Sequence, residues 1–153
     1  IWDSIMLAGK DSNIKPIGLA ARDTFRLEMG FCLYGNELLD EITPIEAGLG
    51  WITKFSKEFN GYKILKEQKE KGIKKKLIGF ELIDKGIPRK GYEISNNDNI
   101  IIGSVTSGTM SPSLGKAIGL GYVNSTSAKI NTTIYINIRN NLIKAIIIKP
   151  PFK

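Results

Sequence analysis

The sequence contains no histidine and a single cysteine, Cys32, among its 153 residues. Without histidine, the chain cannot hold a Ser-His or Cys-His catalytic pair, and most zinc sites are excluded. A lone cysteine excludes an internal disulfide and is typical of a reducing compartment. Because Cys32 lies in the apolar run FCLYG, we interpret it as a small core residue rather than a nucleophile. A general base within this chain would have to be a carboxylate, a lysine or a tyrosine.

Long hydrophobic runs are also missing. No apolar stretch approaches the ~20 residues that a membrane-spanning helix needs, so we expect no membrane insertion. A hydrophobic content of 42% is instead typical of a chain with a packed core. The sequence begins at Ile1, within an amphipathic helical pattern that ends at Gly9. We therefore interpret it as a piece of a longer protein that is cut inside a domain.

Acidic residues are fewer than basic ones: 15 Asp and Glu against 22 Lys and Arg give a net charge of +7. Such a surface attracts anions, which include nucleic acid, anionic lipid, a polyanionic cofactor or an acidic protein. Richness in Ile, Lys and Asn is also typical of an AT-rich genome, so the charge alone does not indicate a nucleic-acid binder. The candidate docking residues form two groups, Lys74, Lys75 and Lys76 and then Arg89 and Lys90. A solvated face or protection of a strand edge explains them equally well.

The densest set of residues with specific physical roles lies in the first third of the chain. The pattern of residues 20–29 favours a helix that ends at Gly30, since glycine adopts the left-handed conformation at low cost. On that helix Arg22 and Arg26 are four residues apart and share a face. Because Asp23 lies three residues before Arg26, the spacing favours local ion pairing over an arginine that faces a ligand.

A second helix start is predicted further along this segment. Thr43, Pro44 and Glu46 have the spacing of a capping box, with proline at the first helical position. The glycines that follow would let another backbone or a flat ligand come close to Trp51. Trp51 is accordingly either a wall of a ligand pocket or, as the more frequent case, a core aromatic residue.

Beyond residue 72 the periodicity changes from helical to alternating. Before this change, a polar helix is predicted over residues 62–71, and Gly72 ends it. Short strands are then predicted at residues 77–83, 92–95, 99–106, 118–123, 130–139 and 142–149. Asn140-Asn141 is a two-residue hairpin signal between the last two strands. This series predicts a small barrel or sandwich, and the change in composition places the domain boundary between Ser56 and Lys74.

Residues 106–115, TSGTMSPSLG, invite comparison with a phosphate-binding loop. They lack the GxxxxGK[ST] order of a P-loop, so we interpret them as turn chemistry. No metal-ligand cluster and no pair of nucleophile and base is visible in the sequence. The residues alone therefore predict an α/β part that favours anion binding and a basic β part. They do not define a reaction.

Several sequence blocks follow one another in a family order. GLAARDTFRLEMGFCLYGNEL is followed by TPIEAGLGW, FNGYKIL, KKKLIGFEL, IGSVTSGTMSPSLGKAIGLGYV, INIRN and AIIIKPPF. Together these blocks resemble the aminomethyltransferase (T-protein) family of the glycine cleavage system, and they cover nearly the whole chain. The resemblance implies an α+β fragment. Residues 1–56 would be the C-terminal remnant of the folate-binding body, and residues 57–153 a C-terminal antiparallel β barrel of jelly-roll type, with the boundary between 57 and 74.

The resemblance also implies a reaction. The family transfers the aminomethyl group carried on the lipoyl arm of H-protein to tetrahydrofolate, which releases ammonia and forms 5,10-methylenetetrahydrofolate. The expected substrate is tetrahydrofolate, the expected partner is lipoylated H-protein, and no metal is expected. The compartment implied is the cytoplasm of a bacterium or the mitochondrion of a eukaryote.

The resemblance also implies roles for a few residues of this sequence. The folate-contacting arginine of the family falls in the ARD motif and maps onto Arg22, with Trp51 as a weaker candidate. H-protein is acidic in this family, so the two basic groups could assist docking. The family's essential aspartate lies in its N-terminal part, and a folate-contacting glutamate should lie shortly before Ile1. We therefore assign no catalytic residue to this chain and expect it to be inactive alone.

Other classes of protein remain open at this point. The folate domains of sarcosine and dimethylglycine dehydrogenases share the ARD and SPSL blocks. The folate-binding iron–sulfur maintenance proteins carry a K-G-C-[FY]-x-G-Q motif that is not present here. A basic β-barrel module for nucleic acid would need aromatic residues paired on alternating strand positions, which we do not find. A pure docking domain, separable from catalysis, is the last alternative.

Overall fold

The computed structural model describes residues 1–152. The N-terminal region contains α1 (Trp2–Ala8), a short 3-10 helix (Lys10–Ser12) and α2 (Leu19–Glu28). Both predicted helices are confirmed to within a residue or two. After α2 the chain turns at Gly30, whose φ is +71°, with the Gly30 amide donating to the Leu27 carbonyl at 2.8 Å. The predicted glycine stop is therefore confirmed, because a side chain is strained in this conformation.

The predicted helix at Thr43 is wrong, although its capping box forms. The Thr43 amide donates to the Glu46 carboxylate at 3.0 Å, and the Glu46 amide donates to Thr43 Oγ1 at 3.3 Å. The chain then makes one turn and stops, because Gly48 takes a φ of +76°. The cap is present, but the left-handed glycine four residues into the segment ends the helix before it can extend.

The linker to the second part of the chain contains α3 (Tyr62–Lys71), which ends at Gly72 as predicted. Only Leu65 of α3 is buried, and the charged residues face solvent. The rings of Phe55, Phe59 and Tyr62 contact one another with centroids 5.6 to 6.1 Å apart. This aromatic cluster covers the start of α3.

The second part of the chain is a closed barrel of six antiparallel strands. The strands are β1 (Lys75–Leu82), β2 (Glu93–Ser95), β3 (Ile101–Ser111), β4 (Lys116–Asn124), β5 (Thr133–Ile138) and β6 (Asn141–Ile148). Their order around the barrel is β1-β4-β3-β2-β5-β6, with all pairs antiparallel. A 3-10 helix (Ser125–Ser127) follows β4. The predicted antiparallel barrel is confirmed, and each strand pairs with a neighbour on both sides over part of its length.

Strand β3 is longer than predicted and contains a bulge. The register with β4 passes from Val105 opposite Gly121 to Ser107 opposite Leu120, so Thr106 is an extra residue. Turn chemistry is confined to residues 112–115, which join β3 to β4. The interpretation of residues 106–111 as a turn was wrong because they form a paired strand, in which Thr106, Ser107 and Ser111 bond to distant carboxylates.

The β5–β6 hairpin is confirmed, with its turn one residue earlier than predicted. Ile138 pairs with Asn141, so Arg139 and Asn140 are the two turn residues. Their φ angles are +52° and +66°, as a two-residue turn of this hand requires. Asparagine at the second position accommodates this conformation readily.

The barrel interior is filled by aliphatic side chains around one aromatic residue. Phe80, Ile94, Ile134 and Ile136 are all 0% exposed. Gly119 lies against the face of Phe80, and a Cβ at that position would overlap the ring. A second, smaller cluster lies outside the barrel, where α2 packs on β4 through Leu27, Ile118 and Leu120. Helix α2 is thus the helix of the N-terminal region that packs on the barrel.

Candidate functional site

A buried polar cluster lies between α2 and β3, with Arg26 at its centre. The guanidinium donates to Glu37 Oε2 at 2.7 Å, to Ser107 Oγ at 2.6 Å and to the Phe31 carbonyl at 3.1 Å. Its Nε donates to Asp23 Oδ1 at 2.8 Å. Arg26 is 9% exposed. The planar fork of arginine can donate in several directions at once, which suits a buried junction of this kind.

Glu37 is the acidic half of this junction and is 0% exposed. Besides Arg26, its carboxylate accepts from the Leu33 amide at 2.9 Å, Thr106 Oγ1 at 2.7 Å and Ser107 Oγ at 2.5 Å. The β3 bulge places the consecutive side chains Thr106 and Ser107 on the same side, where both reach Glu37. A buried ion pair is tolerated when its remaining hydrogen-bonding capacity is satisfied, and here it is.

A second bridge joins the end of α2 to the same strand. Glu28 is 3% exposed and accepts from Ser111 Oγ at 2.5 Å and from Ser113 Oγ at 3.1 Å. Ser111 Oγ also accepts from the Leu114 amide at 3.1 Å, which orders the β3–β4 turn. The Phe152 amide donates to the Glu28 carbonyl at 2.8 Å. Helix α2, the β3–β4 turn and the end of the described chain therefore meet at Glu28.

Arg22 lies one turn before Arg26 on α2 and is exposed. Within residues 1–152 its side chain has no hydrogen bond or ion pair. Its apolar neighbours on α2, Leu19 and Phe25, are 83% and 57% exposed. The predicted local pairing with Asp23 is therefore confirmed for Arg26 and does not extend to Arg22. A guanidinium without a carboxylate partner, beside apolar surface, can bind an external carboxylate or a polar ring edge.

Trp51 is 74% exposed. The interpretation of Trp51 as a core aromatic residue is therefore wrong for this part of the protein. The turns of residues 44–52 hold the indole at the surface rather than beneath it. Its role as a ligand contact stays a prediction.

The predicted docking lysines differ in what they contact. Lys90 Nζ donates to the Gly35 carbonyl at 2.6 Å and to Asn36 Oδ1 at 3.1 Å, so this residue ties a loop of the barrel to the N-terminal region. Lys75 Nζ lies 5.9 Å from the centre of the Tyr122 ring. Lys74 and Lys76 are exposed, and no polar side-chain partner for either lies in the described part of the chain.

Arg89 has a neighbour that the sequence analysis missed. Arg89 and Arg139 line one cavity of about 310 Å³, together with Tyr92. Both arginines are exposed, and neither guanidinium meets a carboxylate among residues 1–152. They are 50 positions apart in sequence, so only the barrel topology brings them together.

Sequence reasoning also missed the bridges of Glu28 and Glu37 to β3. An acidic residue inside an apolar segment, as in LEMGF and GNELL, is the signal that points to a buried and bonded carboxylate. Their partners were hidden because the Ser and Thr residues of β3 were assigned to a turn.

Cys32 is half-buried, with Sγ 3.9 Å from the Ala47 carbonyl oxygen. Burial chiefly, and then the Glu37 carboxylate, raise the pKa of the Cys32 thiol. Tyr122 donates to the Glu37 carbonyl at 2.9 Å, and burial chiefly raises its pKa. Both groups keep their protons at neutral pH, which agrees with a packing role for Cys32.

No group of three or more His, Cys, Asp or Glu side chains suited to a metal ion occurs within residues 1–152. No helix in that range is long and apolar enough to cross a membrane.

Comparison with known proteins agrees with this architecture. Residues 75–153 match the family model of the glycine cleavage T-protein C-terminal barrel domain, and residues 1–57 match that of the GCVT N-terminal domain. Aminomethyltransferases from Porphyromonas gingivalis and Bacteroides thetaiotaomicron are 58% and 57% identical over 156 and 155 residues. Each match covers 100% of this chain and 43% of the relative.

A solved structure gives the same result at the level of the fold. The glycine cleavage system aminomethyltransferase T from Bartonella henselae is 32% identical, with a TM-score of 0.89 over 95% of this chain and 41% of that one. The structure is thus of the class in which a helical N-terminal region packs on a six-stranded barrel. The chain belongs to the glycine cleavage T-protein family, and it spans about two-fifths of the length of these relatives.

Proposed function

We propose that the full-length protein carrying this chain is an aminomethyltransferase of the glycine cleavage system. It moves the aminomethyl group from the lipoyl arm of H-protein to tetrahydrofolate, releases ammonia and forms 5,10-methylenetetrahydrofolate. The observation that carries this proposal is the match of the whole chain to relatives named aminomethyltransferase at up to 58% identity. These relatives favour this activity over a sarcosine or dimethylglycine dehydrogenase.

Arg22 is the residue of this chain that we assign to folate. Its guanidinium is exposed on α2 and has no partner among residues 1–152. Arginine stays charged at all relevant pH values and offers two parallel donors, so it suits a pterin edge or a glutamyl carboxylate. Trp51 is the second candidate, because an indole that is 74% exposed can stack on a flat ring.

We assign a different role to each of the two parts of the chain. Residues 1–56 contribute to the folate-binding body, and residues 57–153 form the barrel domain, with the boundary between 57 and 74. The chain spans 43% of the length of its Porphyromonas gingivalis relative. We expect residues 1–153 to be inactive alone, and robust turnover of an aminomethyl donor by this chain would contradict that expectation.

Docking of acidic, lipoylated H-protein is assigned to the basic surface of the barrel. The cavity shared by Arg89 and Arg139 offers two guanidiniums without internal partners. Lys74 and Lys76 add exposed positive charge. Lys75 and Lys90 contribute less, because each is engaged within the chain. Such charges raise the association rate and make it sensitive to salt. A cytoplasmic enzyme is proposed, in line with the bacterial relatives.

The test is an assay of product formation with the full-length protein, aminomethylated H-protein and tetrahydrofolate. We expect ammonia and 5,10-methylenetetrahydrofolate in equal amounts, with no product when either substrate is omitted. Lys63→Ala on α3 removes one exposed positive charge and should leave the rate unchanged. Arg22→Ala should raise the KM for tetrahydrofolate about ten- to a hundredfold, since a hydrogen bond to a charged group is lost. Oxidation of sarcosine in place of this reaction would contradict the proposal.

A further inference from the structure

Within residues 1–152, helix α2 is held at its C-terminal end. Its buried residues are Arg26, Leu27 and Glu28, all in the last turn. Arg22, one turn earlier, is exposed. The helix therefore projects from the surface of the barrel, and the position of Arg22 depends on how the last turn is fixed.

Strand β3 fixes that last turn through two hydroxyl groups. Ser107 Oγ accepts from the Arg26 guanidinium at 2.6 Å, and Ser111 Oγ donates to the Glu28 carboxylate at 2.5 Å. These serines are four residues apart, which is about 13 Å along a strand. Leu27, at 0% exposure, is held on β4 between them. Attachments this far apart set both the place and the rotation of the helix axis, whereas a single attachment would let it swivel.

The attachments are polar and buried, so they discriminate between positions of the helix. If α2 shifted or rotated, Glu37 would be left inside the protein without its charge partner Arg26, at high cost. An apolar contact such as that of Leu27 tolerates small slides much better, because it has no direction. The polar bridges therefore restrict α2 more tightly than packing alone does.

We propose that Ser107 and Ser111 of the barrel are positioning residues for tetrahydrofolate binding. They act through Arg26 and Glu28 on the orientation of α2, and thereby on the place of the Arg22 guanidinium. This inference rests on the proposed function, in which Arg22 contacts folate. It gives the C-terminal barrel a part in folate recognition that involves no contact between a barrel residue and the substrate.

The experiment is a double-mutant cycle in the full-length protein. Ser107→Ala removes the one acceptor of Arg26 that lies on β3. It should raise the dissociation constant for tetrahydrofolate about five- to tenfold, since small displacements of a positioned group are costly. Its KM for aminomethylated H-protein should stay unchanged. In an Arg22→Ala background the same substitution should have no further effect on folate binding, because the group through which Ser107 acts is gone.

Two variants accompany the cycle. Ile136→Val, in the barrel core and remote from α2, lowers stability without touching either bridge, and it should leave the folate dissociation constant unchanged. Ser111→Ala cuts the second bridge and should act as Ser107→Ala does, which keeps the test possible if one variant does not fold. If neither serine variant folds, the bridges serve the fold itself and the proposal is overturned.

The outcomes separate this inference from the proposed function. Loss of folate affinity on Arg22→Ala but not on either serine variant overturns the inference and leaves the function intact. Equal losses for Ser107→Ala in both backgrounds, or an equal loss for Ile136→Val, show a general effect of stability and also overturn it. If Arg22→Ala leaves folate affinity unchanged, the folate role of Arg22 fails, and the inference fails with it.

Discussion

The barrel and the N-terminal region differ in how completely they bury their own apolar residues. Inside the barrel, Phe80 and Ile94 are 0% exposed. In α1 no residue is buried, and Trp2 and Leu7 are 63% and 75% exposed. The hydrophobic pattern of α1 is as regular as that of the strands, but among residues 1–152 the strands bury their apolar side chains and α1 does not. A periodic pattern thus predicts the type of element, and the buried surface decides its contribution to stability.

Core truncation should give the largest difference between the two regions. Phe80→Ala should lower the free energy of unfolding by about 3–5 kcal/mol, because it opens a cavity in the barrel. Trp2→Ala in the same chain should change it by less than about 0.5 kcal/mol, since the indole has no core to leave. Urea denaturation followed by circular dichroism measures both. Equal losses for the two variants would show that α1 is packed in solution.

The junction between the regions should be the next most sensitive place. Glu37→Gln keeps the shape of the side chain but removes the fully buried counter-charge of Arg26 and leaves only the partly exposed Asp23 as an acidic partner. We expect a cost of about 2–3 kcal/mol. Glu58→Gln is the matched control, because Glu58 is exposed and has no polar partner in the described range. Thermal unfolding of both variants under the same conditions measures their losses of stability. A tolerated Glu37→Gln would mean that the ion pair contributes little to docking of α2.

The capping box should have a smaller effect. Thr43→Ala removes the hydroxyl that accepts from the Glu46 amide and that lies 2.7 Å from Gln68 Oε1 of α3. We expect a loss of about 1 kcal/mol, which is the typical cost of losing a capping hydroxyl. Thr43→Ser keeps both bonds and should recover most of the loss in urea denaturation. No recovery with serine would indicate that the methyl group, and not the hydroxyl, matters here.

The smallest effect concerns alkaline pH. The pKa values of Cys32 and Tyr122 are raised above their ordinary 9.0 and 10.0, chiefly by burial. The unfolded chain therefore releases these protons first, and stability falls as pH rises above those ordinary values. Tyr122→Phe removes one of the two groups, so its stability should fall less steeply above pH 10 than that of the unmodified chain. Identical slopes would contradict the assignment to Tyr122.

The success of sequence reasoning followed the same division between regions. Alternating residues predicted five of the six strands closely, because each strand of the barrel is paired and buried within this chain. Gly30 and Gly72 ended their helices as predicted, since the conformation they need is a local property. The failures involved contacts between distant residues. The polar side chains of β3 looked like a turn because their partners, Glu28 and Glu37, lie some 70 to 85 positions away.

The candidate site was predicted only in part. The spacing of the ARD segment drew attention to two arginines, and the family resemblance selected Arg22. The docking of α2 on the barrel decides that Arg26 is buried and that Arg22 is exposed. No local sequence pattern encodes this docking. The sequence likewise did not predict that Arg89 and Arg139 line the same cavity, because their proximity depends on the strand order.

Hydrogen–deuterium exchange of the full-length protein, with and without tetrahydrofolate, tests whether the barrel holds α2 in place as the carrier of the folate contact. We expect residues 26–31 to exchange as slowly as the barrel strands in both states. Arg26 and Glu28 are hydrogen-bonded to β3, and Leu27 packs on β4. The amides of Gly30 and Phe31 donate to carbonyls of this same anchored turn. Residues 19–23 should exchange faster without folate and become protected when it binds, while β5 and β6 stay unchanged. Folate-induced protection that is confined to other segments, with residues 19–23 unaffected, would contradict the assignment of α2 as the barrel-held carrier of the folate contact.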